Sequence, residues 1–228
     1  MSRPVLRHSE VGAGEWPVAG FARLPEGVSA DGFTPDSSAL LPGDIIMSTT
    51  PGRTSGAIRE TQLRMRYLDE HAVWSHVALF LGGGRLIDGS RDPDGALVIE
   101  AVPDQGVRIN TLVSHTLARD LLVRRVRGIG GDYETRHRIV VAALAFLGRG
   151  YSLRAARDLG LDAWLDRVPN PLKAGVVAEI LFSNFVRNAF IKAGFDIVPG
   201  ALGNVWPADL SASAKLDDVA VGWLRNTA

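Results

Sequence analysis

The chain contains no cysteine. That absence excludes disulfides, thiolate zinc sites and a thiol nucleophile at one stroke. It also lacks an excess of either charge, with 25 Lys+Arg against 25 Asp+Glu. No global field therefore points to nucleic acid or to an anionic membrane surface, and no basic stripe interleaved with aromatics is present. Long apolar runs are missing as well. The most apolar segment, 174–195, carries Glu179, Arg187 and Lys192 with Lys173 just before it, so a buried or amphipathic helix is expected and not a transmembrane segment. Met1 to Pro17 shows no apolar run after Arg3 and Arg7, so no secretory signal is expected, and a cytoplasmic location is favoured. Gly82-Gly83-Gly84 and Gly128-Ile129-Gly130-Gly131 lack the Lys-Ser/Thr and strand-to-helix frame of a phosphate cradle. Thr54-Ser55-Gly56 lacks the first glycine of a G-x-S-x-G elbow. His71 and His76 have no third ligand in sequence, and His115 and His137 read as surface residues. The expectation is of no cofactor and no metal.

The 228 residues suit one domain with an ordinary core. Residues 1–38 are rich in Gly, Pro and Ser with little periodicity and read as an irregular N-terminal arm, leaving 39–228 as the domain. The turn Leu41-Pro42-Gly43-Asp44 feeds a strand at Ile45-Ile46-Met47, and Thr54 to Glu70 reads as a surface helix. Strands are expected at Ser75–Leu81, Arg85–Asp88, Ala96–Val102 and Leu121–Val126, closely spaced by Gly and Pro turns. Such spacing predicts an antiparallel sheet and not βαβ units. Helices are expected at Tyr133–Leu147, Leu153–Arg167 and Ala174–Ala193. The class is α+β, an antiparallel sheet or small barrel packed on helices.

Two residues in these strands bear chemistry. His76 opens the apolar run Val77-Ala78-Leu79-Phe80, and a strand histidine is commonly a satisfied structural residue. Glu100 lies in Val98-Ile99-Glu100-Ala101, where an unpaired carboxylate would be costly to bury. On neighbouring strands, an imidazole and a carboxylate can form the base-and-orienter half of a triad.

Five segments, in order, carry a resemblance. They are Leu41-Pro42-Gly43-Asp44-Ile45-Ile46, Ser55 to Glu60, Ser75-His76-Val77-Ala78, Val98-Ile99-Glu100-Ala101 with Gly106-Val107, and Trp206-Pro207-Ala208-Asp209-Leu210 with Ser213. Together they resemble the YiiX/YebB-like group of permuted papain-like hydrolases of the NlpC superfamily. The resemblance implies a circularly permuted papain-like fold, with His76 as the base and Glu100 as its orienting partner. In such enzymes a cysteine opens a helix in a pattern like C-S-x-L-V-x-x-A-Y. The matching stretch is Phe182-Ser183-Asn184-Phe185-Val186-Arg187-Asn188-Ala189-Phe190, which sets Phe182 at the cysteine position.

Phenylalanine has no lone pair or acidic proton, so thioester formation at Phe182 is impossible. Ser183 is one residue along, about 100° around a helix, and a hydroxyl depends more heavily on its base than a thiol does. One reading is therefore a domain that has lost catalysis and binds a peptide, acyl or lipid-like ligand or a protein partner. The alternative is an amide or ester hydrolase or acyltransferase using Ser183, His76 and Glu100, or a chain in which Ser183 stands in place of a cysteine exchanged to trap substrate. Separating them requires the position of the Ser183 hydroxyl relative to the His76 ring. The insertion Leu153–Leu172 is placed to serve as a lid.

Overall fold

A glycine turn starts the central strand. Gly43 sits at φ +94°, where a side chain is strained, and its N–H meets the Phe80 carbonyl at 2.8 Å. The computed structural model describes residues 21–23, 33–49, 53–84, 95–102, 105–113, 120–149, 182–201 and 204–225. In chain order their elements are β1 (Phe21–Arg23), β2 (Phe33–Pro35), β3 (Ile45–Ser48), α1 (Arg53–Arg64), α2 (Asp69–Ala72), β4 (His76–Gly82), β5 (Leu97–Val102), β6 (Gly106–Thr111) and β7 (Asp120–Val126). There follow α3 (Tyr133–Leu144), α4 (Phe182–Lys192), α5 (Pro207–Ala212), β8 (Leu216–Val219) and β9 (Trp223–Arg225).

The expected α+β class is what forms. Seven strands make an open antiparallel sheet in which β6, β5, β4, β3 and β7 lie side by side, with β1 and β8 both paired to β7. A separate ribbon joins β2 to β9. Gly83 permits the crossing from β4 towards β5, since a Cβ there would lie 1.9 Å from the Gly95 carbonyl oxygen.

Both faces of the sheet are covered, which is why its strands read as apolar runs with little alternation. One face presents Ile45, Met47, Val77, Leu79, Ile99 and Leu122 to Ile139 and Ala143 of α3 and to Phe185, Val186, Ala189 and Phe190 of α4. The other presents Ile46, Ala78, Phe80, Val98, Leu121 and Val123, packed with Leu40, Leu112 and Val221. The α4 residues recur at i, i+1, i+4 and i+5, one stripe of a 3.6-residue helix. Phe146 meets Phe185 edge-on at 5.8 Å, and truncating such a buried ring to alanine costs about 3–5 kcal/mol. Asp132 caps α3 by accepting the Thr135 N–H at 2.9 Å, and the Thr135 hydroxyl first and this N–H second hold its carboxyl below the ordinary range.

Two arginines of β7, Arg124 buried and Arg125 half-buried, fasten its surroundings to the sheet. Arg125 grips Asp44 through Nε at 2.7 Å and Nη2 at 2.6 Å. Burial nevertheless pushes the Asp44 carboxyl up, with Arg125 and the Leu41 N–H pulling it back. Arg124 donates to the carbonyls of Ser211, Ser213 and Leu216, which ties α5 and β8 to the sheet.

Some expectations change. The helix expected over Thr54–Glu70 divides, because Arg66 adopts φ +69° and ends α1 before α2 begins. Within residues 1–38, read as irregular, β1 and β2 are extended and paired. The expected strand Arg85–Asp88, the helix Leu153–Arg167, the lid and positions 174–181 of the last helix lie outside the described residues.

Candidate active site

Strand register brings the two chemistry-bearing residues together. Glu100 pairs across the ladder with Ala78, so His76 lies diagonal to it on the same face. His76 Nε2 and Glu100 Oε2 are 2.8 Å apart, and the side chains are 15% and 5% exposed. The other carboxylate oxygen, Oε1, accepts from Arg108 Nε at 3.1 Å, Arg108 Nη2 at 2.9 Å and Asn110 Nδ2 at 2.9 Å. Arg108 is the direct partner of Glu100 across β5 and β6, and Asn110 follows two residues on, facing the same way. Arg108 Nη1 also donates to Gln105 Oε1.

This arrangement fixes what each group can do. Glu100 is ringed by a guanidinium, an amide and an imidazole, and so its burial is compensated. With Nε2–H donating to the carboxylate, a neutral ring carries its lone pair on Nδ1, the atom suited to act as base or acceptor.

The third expected residue is engaged elsewhere. Ser183, on the first turn of α4 as described, is 2% exposed and its hydroxyl donates to the Val205 carbonyl. Beside it, Asn184 Oδ1 accepts the Val205 N–H and its Nδ2 donates to Asn204 Oδ1, both at 2.6 Å. These two side chains fasten α4 to the segment that leads into α5. Among the described residues, no hydrogen bond joins Ser183 to His76. Phe182 is the first residue of α4.

Arg108 and Asn110 escaped the sequence reading because nothing local marks them; they acquire a role once register sets β6 beside β5. A second polar network was also missed. Gln62 is fully buried, donates to the carbonyls of Ala72 at 2.8 Å and Trp74 at 3.0 Å, and accepts the Ala208 N–H at 2.8 Å. Tyr67 donates to Asp209 at 2.5 Å, and His71 Nδ1 lies 2.9 Å from Ser211 Oγ. Burial and then Asp209 hold the Tyr67 phenol well above its ordinary range. His137 stacks on Tyr133 on the exposed side of α3, and His115 lies outside the described residues. Among the described residues, no three His, Asp or Glu side chains are grouped to hold a metal, and no helix is long and apolar enough to cross a membrane.

Comparison with protein families matches residues 39–158, more than half of the chain, to the family described as permuted papain-like amidase enzyme, YaeF/YiiX, C92 family. His76 and Glu100 fall inside the matched residues, while Phe182 and Ser183 lie beyond them. No curated protein matches the chain.

Proposed function

Because this chain belongs to the permuted papain-like amidase family, we propose that it is a member without thiol chemistry, binding an amide-bearing acyl or peptide ligand at His76 and Glu100 and leaving the bond uncut. The observation that carries this reading is the state of the nucleophile helix. Position 182 is phenylalanine, and the adjacent hydroxyl of Ser183 is buried and donated to the Val205 carbonyl. Amide cleavage by a papain-like route needs a nucleophile whose proton passes to the imidazole as the carbonyl carbon is attacked. Turning the Ser183 hydroxyl to that task would strip the Val205 carbonyl of this donor, at about 0.5–1.5 kcal/mol. The imidazole and carboxylate remain hydrogen-bonded at 2.8 Å, which suits a polar anchor for a ligand.

Incubating the protein with a panel of acyl and peptidyl activated esters, followed by intact mass, tests this reading. The expected result is no adduct from protein shown to be folded. A stoichiometric adduct that disappears in both Ser183→Ala and His76→Ala would instead establish the Ser183–His76–Glu100 hydrolase.

A further inference from the structure

We infer that Arg108 and Asn110 are positioning residues for His76, acting through Glu100. One carboxylate oxygen is assigned to each side. Oε1 is held by three N–H donors from β6, at 2.9–3.1 Å, and Oε2 meets His76 Nε2 at 2.8 Å. A carboxylate on a strand can turn about its terminal torsion, which is soft. Pinning Oε1 from two side chains removes that freedom and aims Oε2 at the ring. Because β6 is antiparallel to β5 in unbroken register from Leu97 to Val102, residues 108 and 110 both fall on the Glu100 face. The guanidinium supplies opposite charge to a side chain only 5% exposed, so these two residues also let the carboxylate be buried where it can reach the imidazole. Arg108 itself is held by Gln105, one turn of the hairpin away.

The consequence is a ring with a set orientation: Nε2–H on Glu100 and Nδ1 as the acceptor atom. This deepens the reading of the same site as a binding anchor and rests on it for its use. The test below reads ring geometry and not acylation, so the two can fail separately.

The measurement is proton NMR of the ring N–H in uniformly 15N-labelled protein, assigned by its loss in His76→Gln. In the unaltered protein the His76 Nε2–H resonance is expected downfield and in slow exchange with water. Arg108→Met and Asn110→Leu should each speed that exchange, by about tenfold for the arginine, which loses both of its bonds to Oε1. Arg108→Lys, which keeps the charge, should recover part of the protection, and Gln105→Ala should change it least. Arg108 is 36% exposed on an edge strand, and if Arg108→Met does not fold, Asn110→Leu alone decides. Unchanged exchange in folded variants overturns the inference. So does the absence of a protected ring proton in the unaltered protein.

Discussion

Two histidines five residues apart, His71 and His76, each centre a polar network, and the networks differ in kind. His76 is joined to Glu100, Arg108 and Asn110, all on adjacent strands, where register fixes the spacing of same-face side chains. His71 belongs to a network that sews α1 and α2 to α5: Gln62 to Ala208, Tyr67 to Asp209, His71 to Ser211. The second network contains the more catalytic-looking pair, a serine hydroxyl 2.9 Å from an imidazole whose other nitrogen is 3.7 Å from Glu70. Yet Ser211 is 1% exposed, and its carbonyl is taken by Arg124. Proximity of serine and histidine is therefore not enough to make a nucleophile; the hydroxyl must also be reachable by a substrate. The strand network concentrates a carboxylate and a guanidinium beside a half-buried imidazole, whereas the helix network spends its groups on joining helices.

Substitutions can sharpen or break that contrast. The largest effect is expected for Gln62→Leu, which orphans two carbonyls and one N–H in the interior and should cost about 3–4 kcal/mol in urea unfolding. A loss below about 1 kcal/mol would show that the helix network is not structural. Glu100→Leu should follow at about 2–3 kcal/mol, leaving Arg108 and His76 without their shared acceptor, with Glu100→Gln milder because it keeps an acceptor oxygen. Tyr67→Phe should cost about 1 kcal/mol near neutral pH. It also carries a pH signature. The folded phenol holds its proton more tightly than the unfolded one, so its contribution is complete below the ordinary tyrosine range and is lost as pH rises above about 10. Tyr67→Phe should flatten the alkaline limb of stability against pH, and an unchanged limb would remove Tyr67 from the network. Ser183→Ala is expected to have the smallest effect, about 0.5–1.5 kcal/mol from its bond to Val205, with ester reactivity unchanged.

Strands β3, β4, β5 and β7 were legible because each is an apolar run buried on both faces and bounded by turn residues. Strand β6 has the sequence GVRINT and β8 has LDDV; their polar residues hide the pattern, and only pairing with β5 and β7 makes them strands. His76 and Glu100 stood out for a physical reason: a carboxylate in an apolar strand must have a partner. The supports of Glu100 were invisible until register placed them. The commitment of Ser183 was equally hidden, since its acceptor belongs to Val205, on a distant stretch with no local signal.

The pairing of β2 with β9 has a consequence for biosynthesis. Phe33–Pro35 finds its ladder on Trp223–Arg225, so the first strand of the pair must wait for one made long after it. At ordinary translation rates that interval is on the order of ten seconds or more, and closing so distant a contact adds to the kinetic barrier. Throughout that wait β2 is a nascent edge open to foreign strands. Pro35, which has no N–H to offer, shortens the ladder that such a strand could build on it.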